Sequence, residues 1–233
     1  MPVVLTREEV EREGRERLNP RLSNPSWLVL RKRRQIFQNW IAALPGSGLK
    51  VLDIGGRIQP YRPLLADRVD SYIAIDLRAT PLVDVLCRAE ELPFCDAEFD
   101  VVISTQVLQY VYEPQRVISE AHRVLKPGGC LFLSVPGAQI RDAQEECWRF
   151  LPEALRRMLS AFARVEIQSE GGSVTGFFRT MNSCLNVFVR YSFVRSVYQW
   201  TLCPLLNLLA ASLEGVAGDN DQFVANYSVL AQK

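Results

Sequence analysis

The chain has 233 residues, with 27 Lys and Arg against 26 Asp and Glu, for a net charge of +1. At 48% hydrophobic and 23% charged residues it has ordinary globular composition and is long enough to bury a full core, which excludes a disordered, collagenous or disulfide-stapled chain. Near-zero charge also argues against a general nucleic-acid binder, which carries a basic face.

The start is expected to lack the apolar core of a signal peptide, since MPVVLTREEVEREGRERLNP turns charged after six residues. Residues 1–40 hold nine Arg and Lys and five Glu. A solvated helix is expected first, then a docking helix over Trp27–Leu44, where Leu30, Ile36, Phe37, Trp40, Ile41 and Leu44 recur near helical spacing. The cluster Arg31-Lys32-Arg33-Arg34 on that helix reads as a solvated face. Pro45-Gly46-Ser47-Gly48 closes this extension, taken as 1–48.

Beyond Gly48 short apolar strands are expected at Lys50–Ile54, Ser71–Ile75, Leu82–Leu86, Asp100–Ser104, Cys130–Val135, Ala163–Gln168 and Gln222–Gln232. Helices are expected at Tyr61–Ala66, Glu113–Leu125 and Leu151–Ala161, the second stopped by Lys126-Pro127-Gly128-Gly129. The alternation predicts an α/β, Rossmann-like doubly wound sheet of seven strands built from 49–170 and 220–233. Between its last two strands, Gly171–Leu213 carries seven aromatics and Arg179, Arg190 and Arg195 but no Asp or Glu. Cys184, Val187, Tyr191, Val194 and Tyr198 there fit one helical stripe. A helical insertion over 171–219 is expected to roof the carboxyl edge of the sheet, as a lid, a dimer interface or a membrane contact. Its uncharged run Ser196–Leu213 is too short and too interrupted, by Gln199, Pro204 and Asn207, for a spanning helix.

Six cysteines at 87, 95, 130, 147, 184 and 203, none in a Cys-x-x-Cys pair, and the lone His122 do not make a zinc set. Most of the cysteines read as buried, reduced thiols of a cytoplasmic protein, and no metal is expected. The informative strings lie at the strand ends. Val51-Leu52-Asp53-Ile54-Gly55-Gly56-Arg57 is a buried strand running into a glycine turn, where backbone amides can approach a ligand. Twenty-one residues after Gly55 a second strand ends in Ile73-Ala74-Ile75-Asp76, whose carboxylate can accept both hydrogen bonds of a ribose diol. Together they point to a nucleoside cofactor.

With Ala89-Glu90-Glu91-Leu92-Pro93-Phe94, Asp96-Ala97-Glu98-Phe99-Asp100 and Glu120 through Gly129, the stretch from Lys50 to Pro136 resembles the class I S-adenosylmethionine-dependent methyltransferases, in the branch that includes the ubiquinone and menaquinone methyltransferases. The resemblance implies a last strand running antiparallel and S-adenosyl-L-methionine as cofactor. It implies that Asp53, Gly55, Gly56 and Arg57 border the methionine end, that Asp76 and Leu77 hold the ribose side, and that Ala89 and Glu90 border the adenine. Gln106 through Tyr110 would face the sulfonium and the acceptor. The family's second and third turn glycines are replaced here by Arg57 and Gln59, and Arg88 stands where relatives often place Asp. No general base is evident; Tyr110 and Asp142 follow the fourth and fifth strands and are weak catalytic candidates. The implied acceptor is a small molecule or a glycan, with sugar O-methylation in a surface-polysaccharide pathway as the first expectation. A methyltransferase-fold interaction module without cofactor is the alternative, and a nicotinamide oxidoreductase a third.

Overall fold

The structure, a computed structural model, describes residues 5–141, 143–188, 191–217 and 220–233. Helix α1 (Arg7–Leu18) starts at a reciprocal cap, the Thr6 hydroxyl and Glu9 carboxylate each accepting from the other's backbone. Helix α2 (Trp27–Ala43) follows the expected stripe and buries Ile36, Phe37, Trp40 and Ile41. It buries Arg33 on the same stripe, so the basic cluster is not a solvated face throughout. Only Arg31 and Lys32 of the cluster stand in solvent.

Strand β1 (Leu49–Ile54), helix α3 (Arg62–Leu65), β2 (Val69–Asp76), β3 (Val85–Leu86) and β4 (Phe99–Thr105) follow, then α4 (Pro114–Val124), β5 (Leu125–Pro136), α5 (Pro152–Met158) and β6 (Arg164–Ser169). Helices α6 (Ser173–Phe188), α7 (Ser192–Trp200) and α8 (Leu202–Ala217) precede β7 (Asn226–Gln232). The sheet order is β3-β2-β1-β4-β5-β7-β6, with β7 antiparallel to both neighbours and the rest parallel. Leu52, Val102 and Leu131 face α4 and α5, whereas Val51, Val101 and Phe132 on the other side face α2 and α3. Strands covered on both faces read as continuous apolar runs, which is why they stand out in the sequence.

Several expectations shift at the margins. The third strand shrinks to two residues, α5 stops at Met158, and β7 starts at Asn226. Cys95 and Cys147 are exposed and Cys87 half-buried; Cys130 and Cys203 are the buried thiols. The single stripe expected from Cys184 to Tyr198 does not form. Its residues are split between α6 and α7, so the 3-4 spacing does not carry across, and Val187, Tyr191 and Val194 stand in solvent.

Candidate functional site

Three strands deliver the expected residues to one edge. β1 ends in a turn at Gly55, whose φ of +77° only glycine adopts freely, and both Gly55 and Gly56 donate their amides to the Ile75 carbonyl. A methyl on Gly55 would stand 2.3 Å from Cγ2 of Val107, and one on Gly56 within 2.9 Å of Asp53 and Ala74. The backbone of this turn is therefore packed bare against the loop after β4. The two departures from the glycine pattern rebuild the turn with side chains. Gln59, itself at φ +44°, donates its amide to the Leu82 carbonyl and accepts from Arg62, while Thr80 donates to the Arg57 carbonyl at 2.9 Å. Arg57 is half-exposed and lies 3.7 Å from Glu13 of α1.

Asp53 is buried and accepts from the Tyr72 hydroxyl at 2.6 Å. Burial pushes its carboxyl up to about 7; the Tyr72 bond opposes this and the nearby Asp76 charge adds to it. Asp76 ends β2, with one carboxylate oxygen accepting the Arg78 amide at 2.8 Å. Leu77 beside it is 68% exposed, an apolar surface next to the strand-end carboxylate. Ala89 and Glu90 are buried at the next edge position, and Arg88, exposed, reaches back to Glu90 at 3.0 Å. These features fit a ribosyl cofactor: a bare glycine turn, a strand-end carboxylate and an apolar shelf lie along one edge.

Gln106 completes the edge in a left-handed conformation, φ +58°, which a non-glycine residue adopts at some expense. It is held there by Ser134, which takes the Gln106 amide on its carbonyl at 2.8 Å and the side-chain amide on its hydroxyl at 3.1 Å. Behind it lies a network the sequence reading missed. The Arg33 guanidinium donates two 2.8 Å bonds to Glu170, and Ser134 and Ser228 each donate to the same carboxylate at 2.7 Å. Oriented to satisfy both neighbours, the Asn226 amide oxygen accepts from Gln106 at 2.9 Å and from Arg33 at 3.1 Å. Burial alone would weaken Arg33's hold on its proton, but the Glu170 carboxylate more than reverses that. The one signal for this pair was positional: Arg33 falls at helical spacing among Leu30, Ile36 and Phe37.

Tyr110 closes a short 3-10 turn after Gln106 and is 44% exposed. Asp142 lies outside the described residues. His122 sits in the last turn of α4, edge-on to Phe162 and beside Lys233, at the opposite edge of the sheet. Trp148-Arg149-Phe150 packs as a staple into α5: Phe150 is in the core and the Trp148 indole donates to the Val111 carbonyl at 2.8 Å.

The insertion packs on the N-terminal helices. Glu214 accepts the Gly172 and Thr175 amides at the start of α6, and Asn207 of α8 donates to the Leu22 and Asn24 carbonyls between α1 and α2. Gly14 of α1 packs so closely on the loop after β1 that a methyl there would stand 2.3 Å from the Ile58 carbonyl oxygen. Between α1, α2 and α6 remains a cavity of about 280 Å³, reaching Gln106 and Asn226.

Residues 52–133 match the family described as methyltransferase domain. The chain is 35% identical over 115 residues to a ubiquinone biosynthesis O-methyltransferase of Pseudomonas aeruginosa, covering 41% of this chain and 48% of that protein. It is 38% identical over 120 residues to the mitochondrial 2-methoxy-6-polyprenyl-1,4-benzoquinol methylase of Mus musculus, covering 51% and 33%. The chain thus spans at most about half the length of these curated relatives. In fold it is similar to an S-adenosylmethionine-dependent methyltransferase from Archaeoglobus fulgidus, TM-score 0.55 at 15% identity over 86% and 94% of the two chains. It is also similar to the 4+2 cyclase SpnF, TM-score 0.54 at 19% identity over 100% and 98%. The strand-end motifs and the antiparallel last strand agree with the matched segment: residues 52–133 are similar to the methyltransferase domain family, and the fold is that of the class I S-adenosylmethionine-dependent methyltransferases.

Proposed function

We propose that the protein transfers a methyl group from S-adenosylmethionine to a hydroxyl of a small molecule or glycan. The observation that carries this reading is the carboxyl edge, along which the bare Gly55-Gly56 turn, the Asp76 strand end and the left-handed Gln106 lie. Relatives named as ubiquinone and benzoquinol methylases support the reaction class. The cyclase neighbour shows that this fold alone does not dictate methyl transfer.

When bound, the cofactor supplies a methyl group already activated on sulfur, so the chain's part is alignment and exclusion of water. Asp76 accepts from a ribose diol, and Leu77 and Ala89 offer apolar contact beside Glu90. Asp53, Gly55, Gly56 and Arg57 frame the amino-acid end, and Gln106 borders the transfer point. Tyr110, exposed on the turn after Gln106, is the candidate among the described residues to hydrogen-bond the acceptor hydroxyl. Residues 1–48 and 171–219 act as the cover that dries the edge. In fold class and cover the protein suits cytoplasmic work on a sugar hydroxyl, and its described cysteines are all free thiols. The apolar outward face of α7 and α8 supports peripheral contact with a membrane or with a second copy, although no helix among the described residues is long and apolar enough to cross a membrane.

Calorimetric titration with S-adenosylhomocysteine tests the reading. The wild type should bind, and Asp76→Ala should lose about 1.5–3 kcal/mol, the range for hydrogen bonds to a charged group. A folded protein that does not bind would instead be an interaction module on a methyltransferase fold.

A further inference from the structure

We propose that the buried Arg33–Glu170 pair locks the Gln106 side chain with its carbonyl oxygen outward, and that the substrate seated in the adjoining cavity is a neutral polyol donating a hydroxyl to that oxygen. The inference rests on the methyltransferase reading and narrows its substrate class. A glutamine carries one accepting oxygen and an amide that only donates, so the groups behind it decide which end meets a ligand. Two routes reach Gln106 from the one ion pair. In the first, Ser134 spends its only hydroxyl proton on Glu170 at 2.7 Å, and its oxygen is left to accept from Gln106 Nε2 at 3.1 Å. In the second, Arg33 donates to the Asn226 oxygen at 3.1 Å, and that oxygen also accepts from Gln106 Nε2, at 2.9 Å. Both protons on Nε2 are thereby turned inward. Oε1 is the end left to a ligand, with the Gln109 amide donating to it at 3.4 Å and one lone pair remaining.

The backbone is pinned to match, the left-handed Gln106 donating its own amide to the Ser134 carbonyl at 2.8 Å. A buried ion pair seldom adds stability over apolar groups of similar volume, so what this one contributes is orientation. Gln106, Asn226 and Arg33 line the cavity of about 280 Å³ between α1, α2 and α6. The same lining carries the carboxylates of Glu13 and Glu16 and the guanidiniums of Arg17 and Arg179. A ligand group charged in either sense would meet its like there. A hydroxyl both donates and accepts, and suits such a mixed wall at every position. Arg33, Glu170, Ser134 and Asn226 are in this sense positioning residues, acting on the substrate only through Gln106.

The test is nuclear magnetic resonance of the isotope-labelled full chain, with S-adenosylhomocysteine titrated in parallel. In the wild type the Nε2 protons of Gln106 should exchange with water about tenfold or more slowly than those of exposed Gln38. Ser134→Ala should release them, a response that a serine serving packing alone would not give. Methyl glucoside should shift the Gln106 amide signals to saturation in the wild type, and acetate should not. The glucoside should bind Ser134→Ala about tenfold more weakly, while S-adenosylhomocysteine affinity stays within about twofold. The wild-type exchange rate needs no variant, so the proposal can fail even where Ser134→Ala does not fold. It is overturned by exchange as fast as that of Gln38, or by protection that persists in a folded Ser134→Ala. Binding of neither probe overturns it, and so does binding of acetate in place of the glucoside, which requires the N–H groups outward. Loss of S-adenosylhomocysteine binding in Ser134→Ala also overturns it, by setting Gln106 against the cofactor. Glucoside binding by a wild type that does not bind S-adenosylhomocysteine upholds the polyol site and defeats the methyltransferase reading instead.

Discussion

In the sheet, Val51, Val101, Ile103 and Phe132 are sealed from solvent, and Asp53, Ser134 and Ser228 beside them are hydrogen-bonded. In the insertion, Thr175, Arg179, Asn182, Ser183 and Asn207 are buried, while Phe188, Phe193, Trp200 and Leu205 stand more than half exposed. Tyr198, Cys203 and Ala210 are buried too, but they gather around hydrogen bonds, Tyr198 donating to Asn182 at 2.7 Å and Asn182 to Asn207 at 3.1 Å. The core is held by area removed from water, which is non-directional and survives small displacements. The insertion is held largely by directional bonds, each contributing only about 0.5–1.5 kcal/mol net, and is expected to open before the core.

The sharpest way to break this contrast is at the one place where the core relies on charge. Glu170→Ala leaves the Arg33 cation buried and unpaired and removes the partner of Ser134 and Ser228. It should destabilise the protein by about 3–5 kcal/mol in urea unfolding. A loss under about 1 kcal/mol would mean that water reaches Arg33 and that the core is not sealed at its carboxyl edge. The expected loss for Asn207→Leu is smaller and local. The change strips donors from the Leu22 and Asn24 carbonyls and leaves Asn182 without its acceptor, at about 1–3 kcal/mol. Hydrogen exchange should lose protection in 202–217 and leave the strands unchanged; uniform loss would join cover and core into one cooperative unit.

How far the sequence disclosed these regions follows from the same contrast. Strands buried on both faces announce themselves as apolar runs, and Gly55, Asp76 and Gln106 are placed by where those runs end. The third strand, paired on one side only and two residues long, lacks that signal. Arg33 and Glu170 are 137 residues apart, and charge alone suggests a solvated face for the first. Only its position on the apolar stripe of α2 hints otherwise. The insertion misleads because apolar periodicity is taken to point inward. Here the groups pointing inward are amides and guanidiniums, and the 3-4 spacing runs across the boundary between two helices.

A further comparison concerns Asp53, a carboxyl inside the apolar part of the molecule. Its folded value, pushed by burial to about 7 from an ordinary 3.8, means the folded state holds a proton that the unfolded chain releases between those values. That stabilisation is fully present below about pH 4 and is lost as pH rises through about 7. The wild type should therefore lose stability relative to Asp53→Asn across that window, read as the difference between their melting temperatures. His122, held below its usual range by burial and then by Lys233, works in the opposite direction in both proteins, so the difference isolates Asp53. A constant difference across the window would mean that Asp53 is ionised in the fold.

The smallest effect on stability is expected where the cover is most apolar. Phe193 and Trp200 of α7 are 76% and 67% exposed, so replacing both with Ser should alter unfolding free energy by only about 0.5 kcal/mol each. Exposed aromatics flanked by Arg195 and free of acidic neighbours along α7 are the composition by which helices lie on anionic membrane surfaces. Sedimentation with vesicles containing an anionic lipid should recover the wild type and lose the double variant. Binding that persists in the variant would turn attention from α7 to α8, where Leu205, Leu208 and Leu209 are also exposed. A wild type that ignores vesicles but runs as a dimer, with the variant a monomer, would make this face the contact between two copies. In either case the exposed apolar side chains would have their partner outside the chain, and the polar interior of the cover would follow from its helices presenting their apolar faces outward.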